Sequence, residues 1–403
     1  MADKISETIE FLTQIHKAWD GTEQRAALRA RPRRSVSYDY ISMQPWQSQY
    51  LRALTYSQQT QLFQIPLWHA ADKINEQIYE AQAVIPISTD CIWQYRGCSH
   101  AMVWLDDSYG GTLYTLEQLG SAGVLGLNKQ FDREWERGVL TVAPVAWGVL
   151  SQADKYLNYT SALSSMTLTV EILHEAQAPA FPGQYDEFHD EEVKLIWGRG
   201  LPVIYNGAEL FLVPPTWSDD INASFSRLAN RLDNSTGAFL YDLRSPDPTE
   251  TREIQYILKG RREINNLQRF FYRCKGRLHS FYAPTWLMDV ELAVDAPAGQ
   301  NYLLSKWPGY WKYFGGGQRR KTLLVFHKDL SASILNVAGY TTNETGELGK
   351  IYLDAPLKQA LRKSDILMIS YLCRYRLDND LMTTDYETVG IAKSSLTLAE
   401  VTE

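Results

Sequence analysis

Hydrophobic and polar positions alternate most regularly between Arg252 and Asp289, and the period changes twice within that stretch. A short run around Tyr256 predicts a strand. Ile264, Leu267, Phe270 and Phe271 then form a stripe at helical spacing that ends at Gly276, a residue suited to stop a helix. A second strand follows and ends in Pro284-Thr285-Trp286. A fainter version runs from Arg34 to Trp68. Val36–Ile41 and Leu62–Pro66 predict strands, and Trp46, Tyr50 and Leu54 share one helical face between them. At a displacement of 218 positions, Arg34/Arg252, Tyr38/Tyr256, Phe63/Phe281, Pro66/Pro284 and Trp68/Trp286 are identical. The pattern predicts one strand–helix–strand unit used twice.

The remaining periodicity is mostly that of strands. Residues 5–18 are the exception, because Ile5, Ile9, Leu12 and Ile15 fit one face of a helix. From Ile85 to Leu173 the reading is β, with Gly110-Gly111 as a turn and with Met166, Leu168, Val170 and Ile172 alternating with polar neighbours. The prolines, glycine and acidic cluster of residues 176–192 mark a linker. The chain therefore divides into a first domain at 1–178, a linker or exposed loop at 179–194 and a second domain at 195–403, with a subdomain inserted at 290–365. Gly315-Gly316-Gly317 reads as a hairpin turn within an aromatic-rich stretch. Alternating strands close the chain, and Leu396 and Leu398 mirror Met166 and Leu168. The expected fold is mainly β with short helices (α+β): two tandem β-sandwich or barrel domains, each with a packed helix.

Composition sharpens this in three ways. Of 403 residues, 24 are Tyr, 13 Phe and 12 Trp, the residue types that suit sheets and interfaces. The formal net charge of -7 argues against binding nucleic acid through its phosphates. Four cysteines are too few for a disulfide framework, and neither a signal peptide nor an apolar run of membrane-spanning length is expected. The expectation is a soluble protein made in a reducing cytosol, without cofactor or metal.

Candidate chemistry is sparse. Glu187, His189, Asp190, Glu191 and Glu192 offer metal-binding groups, but a solvated acidic loop is the favoured reading. Cys91 and Cys98 lack zinc-site spacing, and with Cys274 and Cys373 they read as buried thiols. Gly315–Lys321 lacks the spacing of a phosphate loop. G-x-S-x-G is absent, and the seven histidines form no triad pattern. Trp307, Tyr310, Trp311 and Tyr313 would suit either stacking on sugars or packing in a core or subunit interface; packing is favoured. The three Pro-x-Trp copies (Pro66/Trp68, Pro215/Trp217, Pro284/Trp286) read as strand ends held by a buried indole. The structural and interface candidates are thus Pro66, Trp68, Phe281, Pro284, Trp286, Trp307 and Trp311.

GTEQRAALRARPRR (21–34), REINNLQRFFYRCKGRLHSFYAPTW (262–286) and YRLDNDLMTTDYETVGIAKSSLTLAEV (375–401) together resemble segments of the tail-tip proteins, distal-tail or baseplate-hub, of long-tailed bacteriophages. The resemblance covers both ends of the chain and leaves the middle of each half unmatched. It implies tail-tube-like domains and a virion structural protein without enzymatic activity. Such a protein would form a homo-oligomeric ring, trimer or hexamer, that joins the tail tube protein to the central hub or fibre protein and to receptor-binding proteins. DNA would pass its lumen without specific binding. A carbohydrate-binding tail adhesin using Trp307 and Trp311 is the alternative, and a peptidoglycan-degrading tail enzyme a further one.

Overall fold

The computed structural model describes residues 4–18, 21–105, 110–150, 156–160, 163–175, 179, 201, 204–217, 220–243, 247–315, 317 and 319–401. The fold is mainly β, with one large, almost wholly antiparallel hydrogen-bonded network and a few helices.

The first half runs β1 (Lys4–Glu10), β2 (Thr13–Lys17), β3 (Glu23–Ala27), β4 (Arg33–Ser42), α1 (Pro45–Gln58), β5 (Leu62–Pro66), β6 (Asp72–Lys73), β7 (Val84–Pro86), a 3-10 helix (Thr89–Tyr95), β8 (His100–Leu105), β9 (Gly111–Gly120), β10 (Val124–Leu127), β11 (Leu140–Leu150), β12 (Tyr156–Asn158) and β13 (Ser164–Ile172). The second runs β14 (Ile204–Tyr205), β15 (Ala208–Leu210), β16 (Asn222–Ser226), β17 (Ala229–Asp233), β18 (Phe239–Leu243), β19 (Thr249–Lys259), α2 (Gly260–Cys274), β20 (Ser280–Pro284), β21 (Tyr302–Ser305), α3 (Tyr310–Phe314), β22 (Thr322–His327), β23 (Ala332–Thr342), β24 (Gly349–Leu353), β25 (Ile366–Leu377), β26 (Leu381–Thr388) and β27 (Ile391–Glu400).

Strand registers give the repeat far more support than residue identities do. In β4 and β13, Val36 faces Val170 and Tyr38 faces Leu168; in β19 and β27, Ile254 faces Leu396 and Tyr256 faces Ser394. Pro66 pairs with Val145 and Pro284 with Leu372. The middles of the halves match as well. Ile78 bridges Trp135 and Ala296 bridges Leu361; Ile78 and Ala296 are 218 positions apart, Trp135 and Leu361 226. Ile85 faces Leu125 as Leu303 faces Ile351. The pairing of β10 with β9 shifts register between Gly126 and Leu127, and that of β24 with β23 between Val337 and Gly339. The segment 290–365 thus has a counterpart at about 72–139. The register also makes Leu396 and Leu398 the counterparts of Val170 and Ile172, two residues along from Met166 and Leu168.

Residues 5–18 are not helical: they form β1 and β2. Ile5 and Ile9 stand four apart, a spacing that lies on one face of a helix and equally on one face of a strand. The residue between them, Glu7, is fully buried, so the inward face includes a charge that a hydrophobic count passes over. Gly315 caps α3 instead of opening a hairpin, and Gly316 lies outside the described residues.

One sheet crosses from half to half. β1 pairs with β4 of its own half on one side and with β26 of the other half on its other side. The largest hydrophobic core likewise includes Ile9, Phe11 and Trp93 of the first half alongside residues of the second half.

Candidate functional site: the junction between the halves

The polar interior of this junction is built around Glu7 on β1. Alternation on β1 turns Ile5, Glu7 and Ile9 towards the same side, where Glu7 and Ile9 are buried, and β26 pairs along the strand's second edge. Glu7 Oε1 accepts hydrogen bonds from Arg34 Nε at 2.5 Å and Arg96 Nη2 at 3.0 Å. Its Oε2 accepts from Gln268 Nε2 and from the Tyr386 hydroxyl, both at 2.9 Å. Arg34 and Arg96 belong to the first half, Gln268 and Tyr386 to the second. Burial alone would raise the carboxyl pKa, but Arg34 and Arg96 outweigh it and hold Glu7 well below the carboxylate range. His69 Nε2 lies 3.6 Å from Oε2. Burial pushes the His69 pKa down to about 3 in spite of Glu7, so with two guanidiniums already on the carboxylate the imidazole stays neutral. It lies against the Tyr386 ring, 4.6 Å between centroids.

A second contact places the 3-10 helix Thr89–Tyr95 of the first half on α2 of the second. Trp93 Nε1 donates to Gln268 Oε1 at 2.8 Å, and Gln94 Nε2 to Asn265 Oδ1 at 3.0 Å. Asn265 Nδ2 donates to the Asp90 carbonyl. The Arg96 guanidinium sits 4.6 Å from the Trp93 ring, and its Nε donates to the Tyr272 hydroxyl. Trp93 is 2% exposed. Buried amide groups of Gln94, Asn265 and Gln268 find hydrogen-bond partners in the other half, although Gln94 Oε1 has none, so the contact is specific as well as apolar.

A third contact is an arm. The hairpin β2–β3 reaches over the second half, where Asp380 accepts from the Thr13 backbone N–H at 2.7 Å and from Thr13 Oγ1 at 2.9 Å. Arg376 forms a two-pronged pair with Glu23, 2.8 and 3.2 Å. Gly276, at φ +65°, lies so close to Asp380 that a Cβ would sit 2.3 Å from its Oδ1. The glycine that ends α2 therefore also makes room for the aspartate that holds the arm.

The sequence-derived candidates fall into two groups. Pro66 ends edge strand β5, which pairs only with β11 among the described residues, and its carbonyl accepts from the Tyr38 hydroxyl at 3.2 Å. Trp68 is half-buried, edge-on to Trp104 at 5.4 Å. In the other half Pro284 is buried in β20, and Trp286 is buried and stacks on Phe326 at 5.1 Å. Trp104 and Phe326 hold the same place in β8 and β22, so each indole packs on the same neighbouring strand. Trp286 adopts φ +55°, which Trp68 does not share. Phe281 is buried edge-on to Phe270, 4.9 Å away. The third motif copy lies in a loop, and Trp217 is exposed. The aromatic cluster divides: Tyr310 is buried and donates to the Asp289 carbonyl, whereas Trp307 and Trp311 are 44% and 53% exposed. Trp307 lies over Tyr313, with centroids 5.8 Å apart.

Cys91, Cys98, Cys274 and Cys373 are buried free thiols, and burial raises the pKa of each. No group of three or more metal-binding side chains occurs among the described residues. The linker 179–194 and its acidic cluster lie almost wholly outside those residues. Among the described residues no helix is long and apolar enough to cross a membrane.

Local reading missed Glu7, Asn265, Gln268, Trp93 and Asp380, because each acts across more than 170 positions of sequence. The signal that points to them is the repeat: Trp93 and Trp311 are 218 positions apart, like the Pro-x-Trp motifs. Neither a protein-family model nor a curated protein matches the chain.

Proposed function

We propose that this chain is a structural component of a bacteriophage tail tip or baseplate, a subunit of a ring that connects the tail tube to the central fibre or receptor-binding proteins. The observation that carries this reading is the way the two copies of the unit meet: the first hands strand β1, an arm and a short helix to the second. A unit that passes one edge to a neighbour of the same fold is what a ring requires, since head-to-tail contacts close into a ring when the rotation between neighbours allows it. The resemblance of three segments to tail-tip proteins and the net charge of -7, suited to a lumen that DNA slides through, support it. Two tube-like units per chain would make a trimer equivalent to six units, and six chains an alternative ring. The partners would be the tail tube protein, a central hub or fibre protein and receptor-binding proteins.

The test is the mass of the assembled particle together with gold-labelled antibody on intact tails. A trimer or hexamer and label at the tail tip are expected. Label elsewhere on the virion, or turnover of purified cell wall by the chain, would remove the reading.

The exposure of Trp307 and Trp311 favours one rival, a carbohydrate-binding adhesin. Glycan-array binding that is lost in Trp311→Ala would establish that alternative.

A further inference from the structure

We infer that a second copy of this chain docks head-to-tail on the first, with the β16–β18 arm and the α3 aromatics of one copy covering strand β12 and helix α1 of the next. The inference deepens the ring reading and rests on it only for closure, not for the contact.

The inter-half junction supplies the template. There, the first half gives the strand β1, the hairpin β2–β3 and the 3-10 helix Thr89–Tyr95; the second half receives them on β26 and α2. Every donor element has a counterpart in the second half. Strand β16 lies beside β19 as β1 lies beside β4, and the hairpin β17–β18 follows it as β2–β3 follows β1. The acceptors have counterparts in the first half. β12 lies beside β13 as β26 lies beside β27, with Tyr156 opposite Met166 and Tyr386 opposite Ala392 at the same registers. Helix α1 lies between β4 and β5 in chain order, as α2 lies between β19 and β20.

These counterparts are, among the described residues, the parts left bare. Among the described residues β16 pairs only with β19, and β12 only with β13. Phe225 on β16 is 65% exposed and Leu240 on β18 66% exposed; Leu232 and Leu243 are exposed beside it. The residues of β1 that meet β26, by contrast, include the fully buried Glu7 and Ile9. Trp311 is 53% exposed where Trp93, 218 positions earlier, is covered. On the receiving side, Asn265, Gln268 and Tyr272 of α2 carry the 3-10 helix. In the first half Gln47, Tyr50 and Leu54 of α1, with Phe63 and Ile65 of its own sheet, line an open groove of about 350 Å³. Free strand edges flanked by bare apolar side chains are surfaces that proteins either protect or use. Here each bare surface matches a covered one of the same fold, so the occupant is the next copy. Donor and acceptor surfaces differ, so the contact is heterologous and leaves a free donor and a free acceptor after each addition.

The test uses two variants of the full chain at exposed positions: an arm variant carrying Phe225→Asp and Leu240→Asp, and a socket variant, Tyr50→Glu. Circular dichroism should match wild type, as should the melting temperature at concentrations too low for self-association. In sedimentation, self-association of each variant alone should weaken about 30-fold or more, the usual consequence of losing a central interface residue. An equimolar mixture should form a 1:1 pair that stops at two copies, since one intact arm meets one intact socket. Variants that assemble like wild type, a mixture no better than its components, or a wild-type chain monomeric at its highest soluble concentration would each overturn the contact. Wild-type filaments with complementing variants would uphold the contact and remove the closed ring. A closed ring indifferent to both variants would uphold the ring and remove this contact.

Discussion

Helices α1 and α2 hold the same place in chain order, between β4 and β5 and between β19 and β20, yet they live in different surroundings. In α2, Ile264, Leu267, Phe270 and Phe271 are buried together with Asn265, Gln268 and Arg273, while α1 buries only Ser48. The difference lies in what covers each helix. α2 has its own sheet beneath, where Phe270 stacks on Phe211 at 3.9 Å, and the first half's 3-10 helix on its flank. Among the described residues α1 has only its own half against it, and Trp46 and Tyr50 are exposed. An apolar stripe therefore reports that a face is meant to be covered, while the polar groups among it report by what: Asn265 and Gln268 are matched to Gln94, Trp93 and Glu7 of the other half.

Breaking the covered side should have the largest effect. Glu7→Ala leaves Arg34 and Arg96 buried without their carboxylate, and a loss of about 3–5 kcal/mol is expected in urea denaturation. Retention of wild-type stability would mean that the junction does not depend on its central charge. Phe271→Ala, on the covered helix, should cost about 3–4 kcal/mol, whereas Tyr50→Ala on the bare one should change monomer stability by less than about 0.5 kcal/mol. Equal costs would erase the contrast between the helices.

Acid should act on the junction more gently. His69 binds a proton in the unfolded chain near its ordinary value of 6.5 but in the folded chain only near 3. Between these values the unfolded state holds more protons, so stability falls as the pH is lowered. From pH 6.5 to 4.5 the loss should be about 2–3 kcal/mol. Glu7 adds to it only below its unfolded value of 4.5, because its folded pKa is depressed. His69→Gln should reduce the pH slope of unfolding by close to one proton between about pH 4.5 and 5.5, and by nothing well above 6.5; an unchanged slope in that window would place the titration elsewhere.

Much of the architecture was legible because its signals are local. The stripe of α2, the strands either side of it and two of the three Pro-x-Trp ends are short-range patterns that the fold places as strand, helix and strand, while Pro215 and Trp217 lie in a loop. The β1–β2 segment was misread because spacing by four fits two periods. The junction was illegible for a different reason. Glu7 looks like any exposed strand carboxylate until β26 arrives beside it, and the amides of α2 look like the polar face of a surface helix. Five identities at one displacement hinted at the duplication, but strand registers, which depend on where hydrogen bonds form and not on side-chain identity, carry it through the middle of both halves.

The seating of β1 also bears on how the chain folds. Its pairing with β4 joins segments about thirty residues apart, whereas the Glu7–Tyr386 hydrogen bond joins residues 379 positions apart. On a ribosome the first pairing is available early, but β26 emerges only after nearly all of the second half has been made. Until then β1 presents one unpaired edge and a charged carboxylate with half of its partners missing. Contacts of such long sequence separation form slowly, because loop closure precedes any gain from the contact. The waiting edge of β1 is then the segment most open to pairing with another nascent chain.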